Sequence, residues 1–329
     1  MAASPNLSIV VPCYNEAEVL PETLRRLEAL LAGLQSRGSI SAASRIFFVD
    51  DGSRDDTWPM IAQAVDAGSP VVGIRLSRNS GHQVALIAGL ETADGDAVIS
   101  IDADLQDDVA AIEQMVEKFA HGADIVYGVR RSRDGDSLFK LGSAKVFYRL
   151  LRMLGVETVS DHADFRLLSR RAVNALAEYQ EVNLYLRGII PLLGFRSETV
   201  LYDRNVRFAG QSKYPLRRMI GLGLNAITSF SVLPLRLISA LGFAVSLATL
   251  VLGAWILIGA LTHAQLVPGW ASTVLPIYFL GGVQLIGIGI IGEYVGKLYL
   301  EAKRRPRYFI DRIHRRTPDA SGPGTTAAR

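Results

Sequence analysis

Only one cysteine, Cys13, occurs in the 329 residues, so no internal disulfide framework can form and the composition fits a reducing compartment. Neither a P-loop nor a Gly-x-Gly-x-x-Gly follows the first apolar run, which removes the two glycine-rich phosphate cradles most easily read from sequence. Basic residues are not interleaved with aromatics as a base-stacking surface requires, so nucleic acid is not an expected partner. No secretory signal is expected from the run at residues 7–12, which is too short and gives way at once to Asn15, Glu16 and Glu18. The largest absence is of charge, for no Asp, Glu, Lys or Arg stands between Arg236 and Glu293.

That uncharged interval holds two membrane-length segments. Residues 237–261 are continuously apolar, and residues 273–292 are glycine-rich with Pro276 inside; about 20 such residues span a bilayer's hydrocarbon. Residues 262–272 are the expected short loop. Lys213, Arg217, Arg218 and Arg236 precede the first segment, Lys297, Lys303, Arg304, Arg305 and Arg307 follow the second, and the loop has no basic residue. The positive-inside rule then predicts a multi-pass protein of the plasma (inner) membrane with its N-terminal domain and both ends cytoplasmic. The net charge of +3 is accounted for by this cluster, which suits anionic lipid. Residues 215–233 have apolar residues at roughly helical spacing and predict an interfacial helix. Gly281, Gly282, Gly287 and Gly289 permit close helix packing and a homo-oligomer. The tail from about residue 318 is small and polar, and is expected to be disordered.

The first half alternates strand and helix patterns. Strands are predicted at residues 7–11, 45–49, 71–76, 97–101 and 123–129, and helices at 18–34, 57–65, 81–93 and 109–120. Near-continuous apolar strands in βα alternation indicate a doubly wound, mostly parallel α/β sheet, in which ligands bind beyond the strands' C-terminal ends. Those ends carry Pro12, Tyr14 and Glu16; Asp50, Asp51 and Ser53; Arg78 and His82; and Asp102 and Asp104. Repeated acids converging on one edge favour a pocket for a nucleotide sugar and a metal. Asp102 and Asp104 lie one residue apart at the end of an apolar run, and hard oxygen ligands there suit Mg²⁺ or Mn²⁺ carrying substrate phosphates, with Gln106 as a third oxygen.

The segments VVPCYNE, VDDGS, GHQVALIAGL and SIDADLQDD resemble the donor-binding motifs of inverting family 2 glycosyltransferases of the GT-A (Rossmann-like) fold. Beyond them, VYGVRRSRDGD, DHADFRLLSRRAV, LYLRGIIPLLGF, RFAGQSKYPLRRMI and FLGGVQLIGIGIIGEYVGKLYLEAKRRPRYFI are similar to polyisoprenyl-phosphate glycosyltransferases of the bactoprenol glucosyltransferase type, relatives of dolichol-phosphate mannose synthase. The resemblance runs from about residue 7 to residue 310. It implies a catalytic domain over residues 1–212, juxtamembrane helices over 213–235, two spans within 236–296, and a basic segment and tail over 297–329.

By the same resemblance, Asp51 contacts the base, with Pro12, Tyr14, Glu16 and Ser53 around base and ribose. Asp102, Asp104 and Gln106 hold the donor diphosphate through Mg²⁺ or Mn²⁺. Arg78 and His82 lie in the donor site, and Arg166 is a further substrate-binding candidate. Asp164 matches the position given the acid/base role. A lipid phosphate with a second pKa near ~6 is already largely dianionic at neutral pH, however, so a positioning role for Asp164 is equally open. Arg207, Ser212 and Lys213 form the acceptor-side cluster. The implied reaction carries a hexose from a nucleoside diphosphate sugar to undecaprenyl phosphate, with glucose from UDP-glucose as first choice and GDP-mannose, an amino sugar or a modified arabinose as alternatives. A processive synthase would need a Gln-x-x-Arg-Trp segment, and none of Trp58, Trp255 and Trp270 stands in one. A non-enzymatic scaffold would predict eroded acids.

Overall fold

The computed structural model describes residues 4–131, 162–181, 186–203, 233–262 and 270–316. They divide into two compact units: residues 1–138, 159–212 and 306–329 form the first, and residues 139–158 and 213–305 the second.

The first unit is a single eight-stranded sheet. Its strands are β1 (Leu7–Cys13), β2 (Arg45–Asp50), β3 (Val71–Leu76), β4 (Ala97–Ser100), β5 (Ile125–Arg130), β6 (His162–Ser169), β7 (Ser197–Tyr202) and β8 (Ile310–Arg315), in the spatial order β7-β5-β6-β4-β1-β2-β3-β8. The helices α1 (Leu20–Ser36), α2 (Thr57–Asp66), α3 (His82–Thr92), α4 (Ala111–Ala120), α5 (Arg170–Ala177) and α6 (Leu186–Leu192) connect them. Helix α1 is amphipathic, with Leu20, Thr23, Leu27, Leu31 and Leu34 forming its buried stripe at three- and four-residue spacing. In β1, Ile9 and Val11 join the core cluster that includes Leu27 and Leu31, while Val10 between them faces α3. Gly89 of α3 sits so close to this face that an added Cβ would stand 2.3 Å from Val10 Cγ1 and 2.8 Å from Val49 Cγ2. Only glycine lets α3 lie this near the sheet.

The elements predicted through β5 are present with ends shifted by a few residues, but the sheet is mixed rather than mostly parallel. β1–β4, β1–β2, β2–β3 and β5–β7 pair in parallel, whereas β6 runs antiparallel between β4 and β5, and β8 runs antiparallel along β3. The βα rhythm ends at β5, and nothing local in the sequence says that a later apolar strand will insert beside β4. The strand β8 was likewise not anticipated in the segment after the helices. Ser77 N–H donates to the Phe309 carbonyl at 2.9 Å, His314 Nε2 meets Asp66 Oδ1 at 2.8 Å, and Tyr308 OH lies 2.5 Å from Glu91 Oε2. All three contacts join this segment to the first unit.

The second unit contributes the helices α7 (Leu233–Thr262) and α8 (Trp270–Ala302). Among the described residues one segment, Phe279–Ala302, has the length and apolar composition to cross a membrane, and Pro234–Val245 is a shorter apolar helical stretch. The expected first span falls within α7, and the expected second span within α8. Large apolar side chains stand exposed on both, Phe243 at 72% and Leu285 at 72%. Gly287 is where the two helices meet, its added Cβ coming within 3.3 Å of Ile238 Cγ2. The interfacial helix and most of the predicted loop lie outside the described residues.

Candidate active site

Because β1, β2, β3 and β4 are parallel, their C-terminal ends share one edge, and β6 enters the sheet from that same edge. The β4–β6 register pairs Ser100 with Arg166, so two residues farther toward the edge Asp102 faces the level of Asp164. Ser100 Oγ donates to the Asp164 carbonyl at 2.5 Å and locks this register. Strand periodicity puts Asp164 and Arg166 on the face opposite Phe165 and Leu167, which belong to the core cluster. His82, the first residue of α3, reaches across them: its Nε2 is 3.3 Å from Asp102 Oδ1 and 3.8 Å from Asp164 Oδ2. Arg166 Nη2 donates to Asp164 Oδ1 at 2.5 Å. From α6, Arg187 donates to both oxygens of the same carboxylate, through Nε at 3.3 Å and Nη2 at 3.2 Å.

The two aspartates of this cluster are tuned apart. Burial, followed by the nearby carboxylates of Asp107, Asp164 and Asp104, pushes Asp102 up to about 6, with His82 opposing. Asp164 is also buried, which alone would raise it, but the charges of Arg166 and Arg187 and the hydrogen bond from Arg187 outweigh burial and hold it at about 2. Arg166 is 1% exposed and so forms with Asp164 an internal ion pair. Asp164 is therefore ionised throughout the neutral range.

No group of three or more His, Cys, Asp or Glu that could hold a metal occurs among the described residues. Asp102 and Asp104 supply two carboxylates, and an incomplete protein set suits Mg²⁺, which takes its remaining oxygens from water and substrate phosphates. Extra positive charge would also relieve the mutual repulsion that raises Asp102. The residues present thus fit the expected cation. Gln106 is 8% exposed, and its main-chain N–H donates to Asp104 Oδ1 at 3.2 Å. Between them Leu105 adopts φ 56°, a left-handed conformation that side chains with a Cβ rarely adopt and that clusters at functional sites.

The nucleotide side is arranged around Asp51. Its carboxylate is 2% exposed and accepts the N–H groups of Ser80 at 2.7 Å and Gly81 at 2.8 Å, so it holds the loop that leads into His82. Burial is the main cause of its raised pKa, and the two amides oppose it. Asp50 is fully buried; its Oδ1 accepts the Ser53 N–H at 3.0 Å, and Arg75 Nε lies 3.6 Å from Oδ2. Ser53 Oγ in turn accepts the Asn15 N–H at 3.0 Å. Gly52, at φ +69°, brings this loop so close to the next that an added Cβ would be 2.8 Å from the Arg78 carbonyl carbon and Asn79 N. Pro12 is buried, Glu16 half-buried, and Tyr14 and Arg78 exposed at the same edge. Arg207, Ser212 and Lys213 lie outside the described residues.

The sequence reading missed two features. Asp107, 1% exposed, accepts hydrogen bonds from Tyr202 OH and from Arg130 Nη2 at 3.2 Å, tying the loop after β4 to β5 and β7. Phe165 braces Tyr202 edge-on, with ring centroids 5.3 Å apart. Arg187 is the second: it stood in LYLRGIIPLLGF as the one charge in an apolar run, a signal that was available.

The chain was compared with known proteins by sequence and by structure. The model of the family "Glycosyl transferase family 2" matches residues 8–177. The "Uncharacterized glycosyltransferase YkoT" of Bacillus subtilis is 50% identical over 312 residues, covering 94% of this chain and 92% of that protein. The "SfII prophage-derived bactoprenol glucosyl transferase" of Shigella flexneri is 39% identical over 316 residues, covering 95% of this chain and 99% of that protein. A crystal structure of glucosyl-3-phosphoglycerate synthase from Mycobacterium tuberculosis superposes with TM-score 0.43 at 18% identity, over 69% of this chain and 78% of that one.

Proposed function

The chain belongs to glycosyl transferase family 2 and is a glycosyltransferase with a GT-A type α/β sheet, and from that premise we propose that it transfers a hexose from a nucleoside diphosphate sugar to a polyprenyl phosphate at the cytoplasmic membrane face. The observation that carries this reading is the similarity to the Shigella flexneri bactoprenol glucosyl transferase across 95% of this chain, which takes in the helices α7 and α8 as well as the catalytic sheet. Glucose from UDP-glucose is the first choice of donor and undecaprenyl phosphate the first choice of acceptor.

The chemistry is an inverting displacement. A divalent cation, Mg²⁺ or Mn²⁺, held by Asp102 and Asp104 would neutralise the charge that builds on the departing nucleoside diphosphate. The strand ends and loops at β1, β2 and β3 that carry Pro12, Tyr14, Glu16, Asp51, Ser53 and Arg78 receive the nucleotide. His82 bridges the donor carboxylate Asp102 and Asp164. A carboxyl held at about 2 is a poor proton acceptor at neutral pH, and a lipid phosphate with a second pKa near ~6 has little proton to give. Asp164 accordingly acts as a fixed negative charge that orients Arg166, Arg187 and His82. Arg207, Ser212 and Lys213 belong to the acceptor side.

In this reading α7 and α8 are a pair of spans entered through an interfacial helix, which keeps the enzyme on the membrane that holds the acceptor. Both chain ends are cytoplasmic, and Gly281, Gly282 and Gly289 of α8 serve a homo-oligomer, while Gly287 packs against α7. The test is the purified membrane protein with undecaprenyl phosphate, Mg²⁺ or Mn²⁺ and a panel of labelled UDP- and GDP-sugars, following label into the organic phase. Label from one donor, lost with EDTA, is the expected result. A folded preparation that moves no label from any donor overturns the reading.

A further inference from the structure

The loop after β4 holds a carboxylate, Asp107, that has no part in the displacement described above. It lies in the stretch that joins β4 to α4 and is 1% exposed. Its partners come from two other strands. β4 and β5 both run antiparallel to β6, and β7 runs parallel to β5, so β4, β5 and β7 all end on the edge that carries the donor acids. Arg130 and Tyr202 are the last residues of β5 and β7 and are partners in that register. Together with Asp107 they close a ring. Arg130 Nε donates to Tyr202 OH at 3.1 Å, Tyr202 OH donates to Asp107 Oδ1, and Arg130 Nη2 donates to the same Oδ1 at 3.2 Å. Burial first, and then the charge of Asp107, push the Tyr202 hydroxyl well above its ordinary range. Tyr202 therefore keeps its proton, and Asp107 is the acceptor.

Both donors are spent on one oxygen. The other, Oδ2, is buried and accepts no hydrogen bond from any described residue. A charged oxygen buried without a donor is costly, and a nearby cation is what offsets such a cost. The charge of Arg130 answers that of Asp107 only in part, because the Arg130 side chain is 31% exposed and screened by water, whereas Asp107 is enclosed. The remaining field is felt at the donor acids: among the neighbouring carboxylates, Asp107 raises Asp102 more than Asp164 or Asp104 does. Asp107 is not itself placed as a ligand, since no three acids or histidines among the described residues are close enough to share an ion.

We propose that Asp107 is a positioning residue for the cation: held by Tyr202 and Arg130, its buried negative charge draws Mg²⁺ or Mn²⁺ onto Asp102 and Asp104 without touching the ion. This rests on the cation assignment made above. It gives β5 and β7 a share in cation affinity although neither strand carries a ligand, and it predicts that the two charged members of the ring act with opposite sign. Removing Asp107's charge loosens the ion, and removing Arg130's charge tightens it.

The experiment titrates Mn²⁺ alone into the full-length protein in detergent and reads the free ion by electron paramagnetic resonance, with circular dichroism to show that each variant is folded. Asp104→Asn identifies the binding that belongs to this site, which it should abolish. Asp107→Asn keeps the shape and an acceptor oxygen while removing the charge, and should weaken Mn²⁺ binding about 10- to 100-fold, the range for outer groups of a metal site. Mg²⁺, measured by displacement of Mn²⁺, should weaken by the same factor, because a charge acting at a distance does not read ligand geometry. Arg130→Gln removes the opposing charge while Tyr202 still holds Asp107, and should tighten Mn²⁺ binding about threefold, less than the reverse effect because Arg130 is partly solvated. A ring that merely props the loop would weaken binding in both variants. Weaker or unchanged binding in Arg130→Gln, or unchanged binding in Asp107→Asn, overturns the inference. So does an altered preference between Mn²⁺ and Mg²⁺ in Asp107→Asn, which would make Asp107 a ligand. If Asp107→Asn does not fold, the sign of the Arg130→Gln change decides alone. A wild type that takes up no Mn²⁺ would remove the cation assignment and the inference with it, a different result from variants that match a binding wild type.

Discussion

Two buried aspartates on one sheet edge are satisfied in opposite ways. Asp51, after β2, is surrounded by main-chain donors, with the N–H groups of Ser80 and Gly81 at 2.7 and 2.8 Å. Asp164, on β6, is surrounded by side-chain cations, Arg166 at 2.5 Å and Arg187 at 3.2 Å. Amides carry only partial charges, so burial dominates and the Asp51 pKa stays raised. Full guanidinium charges overcome burial, and Asp164 is held at about 2. The lesson is one of roles. An amide-held carboxylate shapes a loop, here the one that delivers His82, whereas an arginine-held carboxylate displays cations and stays charged at every working pH. Asp102 between them has neither form of support in full, and is the carboxylate that a cation would complete.

The sharpest break in this contrast comes from the carboxylates awaiting a cation. Asp104→Asn should lower transfer by on the order of 10³-fold while the protein stays folded and membrane-bound, because several kcal/mol of charge stabilisation on the leaving diphosphate is removed; undiminished turnover would sink the metal assignment. Asp164→Asn comes next, with an expected loss of about 10²-fold in kcat and of about 3–5 kcal/mol in stability, since the buried Arg166 loses its hydrogen-bonded carboxylate partner. The pH–rate profile of the residual activity should keep the wild-type shape. An acid limb that vanishes with the substitution would instead make Asp164 a base.

Asp51→Asn is expected to be milder, about 1–3 kcal/mol in stability and a several-fold rise in donor KM, because an amide can satisfy only one of the two N–H donors. Acid unfolding separates the two aspartates by sign. A carboxyl lowered to about 2 contributes stability above its ordinary value of ~3.9 and loses it as pH falls between those values, so Asp164→Asn should flatten that stretch of the denaturation midpoint against pH. A raised carboxyl contributes most below its ordinary value and loses its contribution as pH rises through the folded value, so Asp51→Asn should flatten the curve at higher pH and in the other direction. Equal slopes for the two variants would erase the distinction. The smallest effect is expected for Tyr202→Phe, about 1 kcal/mol and a few-fold weaker apparent Mn²⁺ affinity, because Asp107 keeps Arg130. No change in metal titration would mean that this tie leaves the Asp102–Asp104 loop unaffected.

Much of the sheet was legible in the sequence. β1 to β5 and α1 to α4 are local patterns, apolar runs of strand length alternating with amphipathic or buried helices, and they were placed to within a few residues. The acidic strand ends Asp50, Asp51, Asp102 and Asp104 were visible for the same reason, since parallel strands must present their C-terminal ends together. What stayed hidden depends on pairing between distant segments. β6 reads HADFRLLS, an alternating pattern that does not name its partners, and only insertion between β4 and β5 sets its direction. β8 follows a helix of 33 residues and reads as a short stretch of alternating charge, with no local mark that it will lie along β3. Arg187 was in view as a lone charge, but its meaning needed Asp164 beside it.

The sequence by itself determined the kinds of element, the uncharged helical stretch, and the set of chemical groups near the strand ends, because these follow from composition and from periods of two and 3.6 residues. Tertiary structure alone decided which of those groups meet. Asp164 and Arg166 differ from any other acidic–basic pair in the chain only because the β4–β6 register sets them beside Asp102 and His82 and away from solvent. Burial and distance govern electrostatic energy, and both are properties of strands brought together from far apart in the chain.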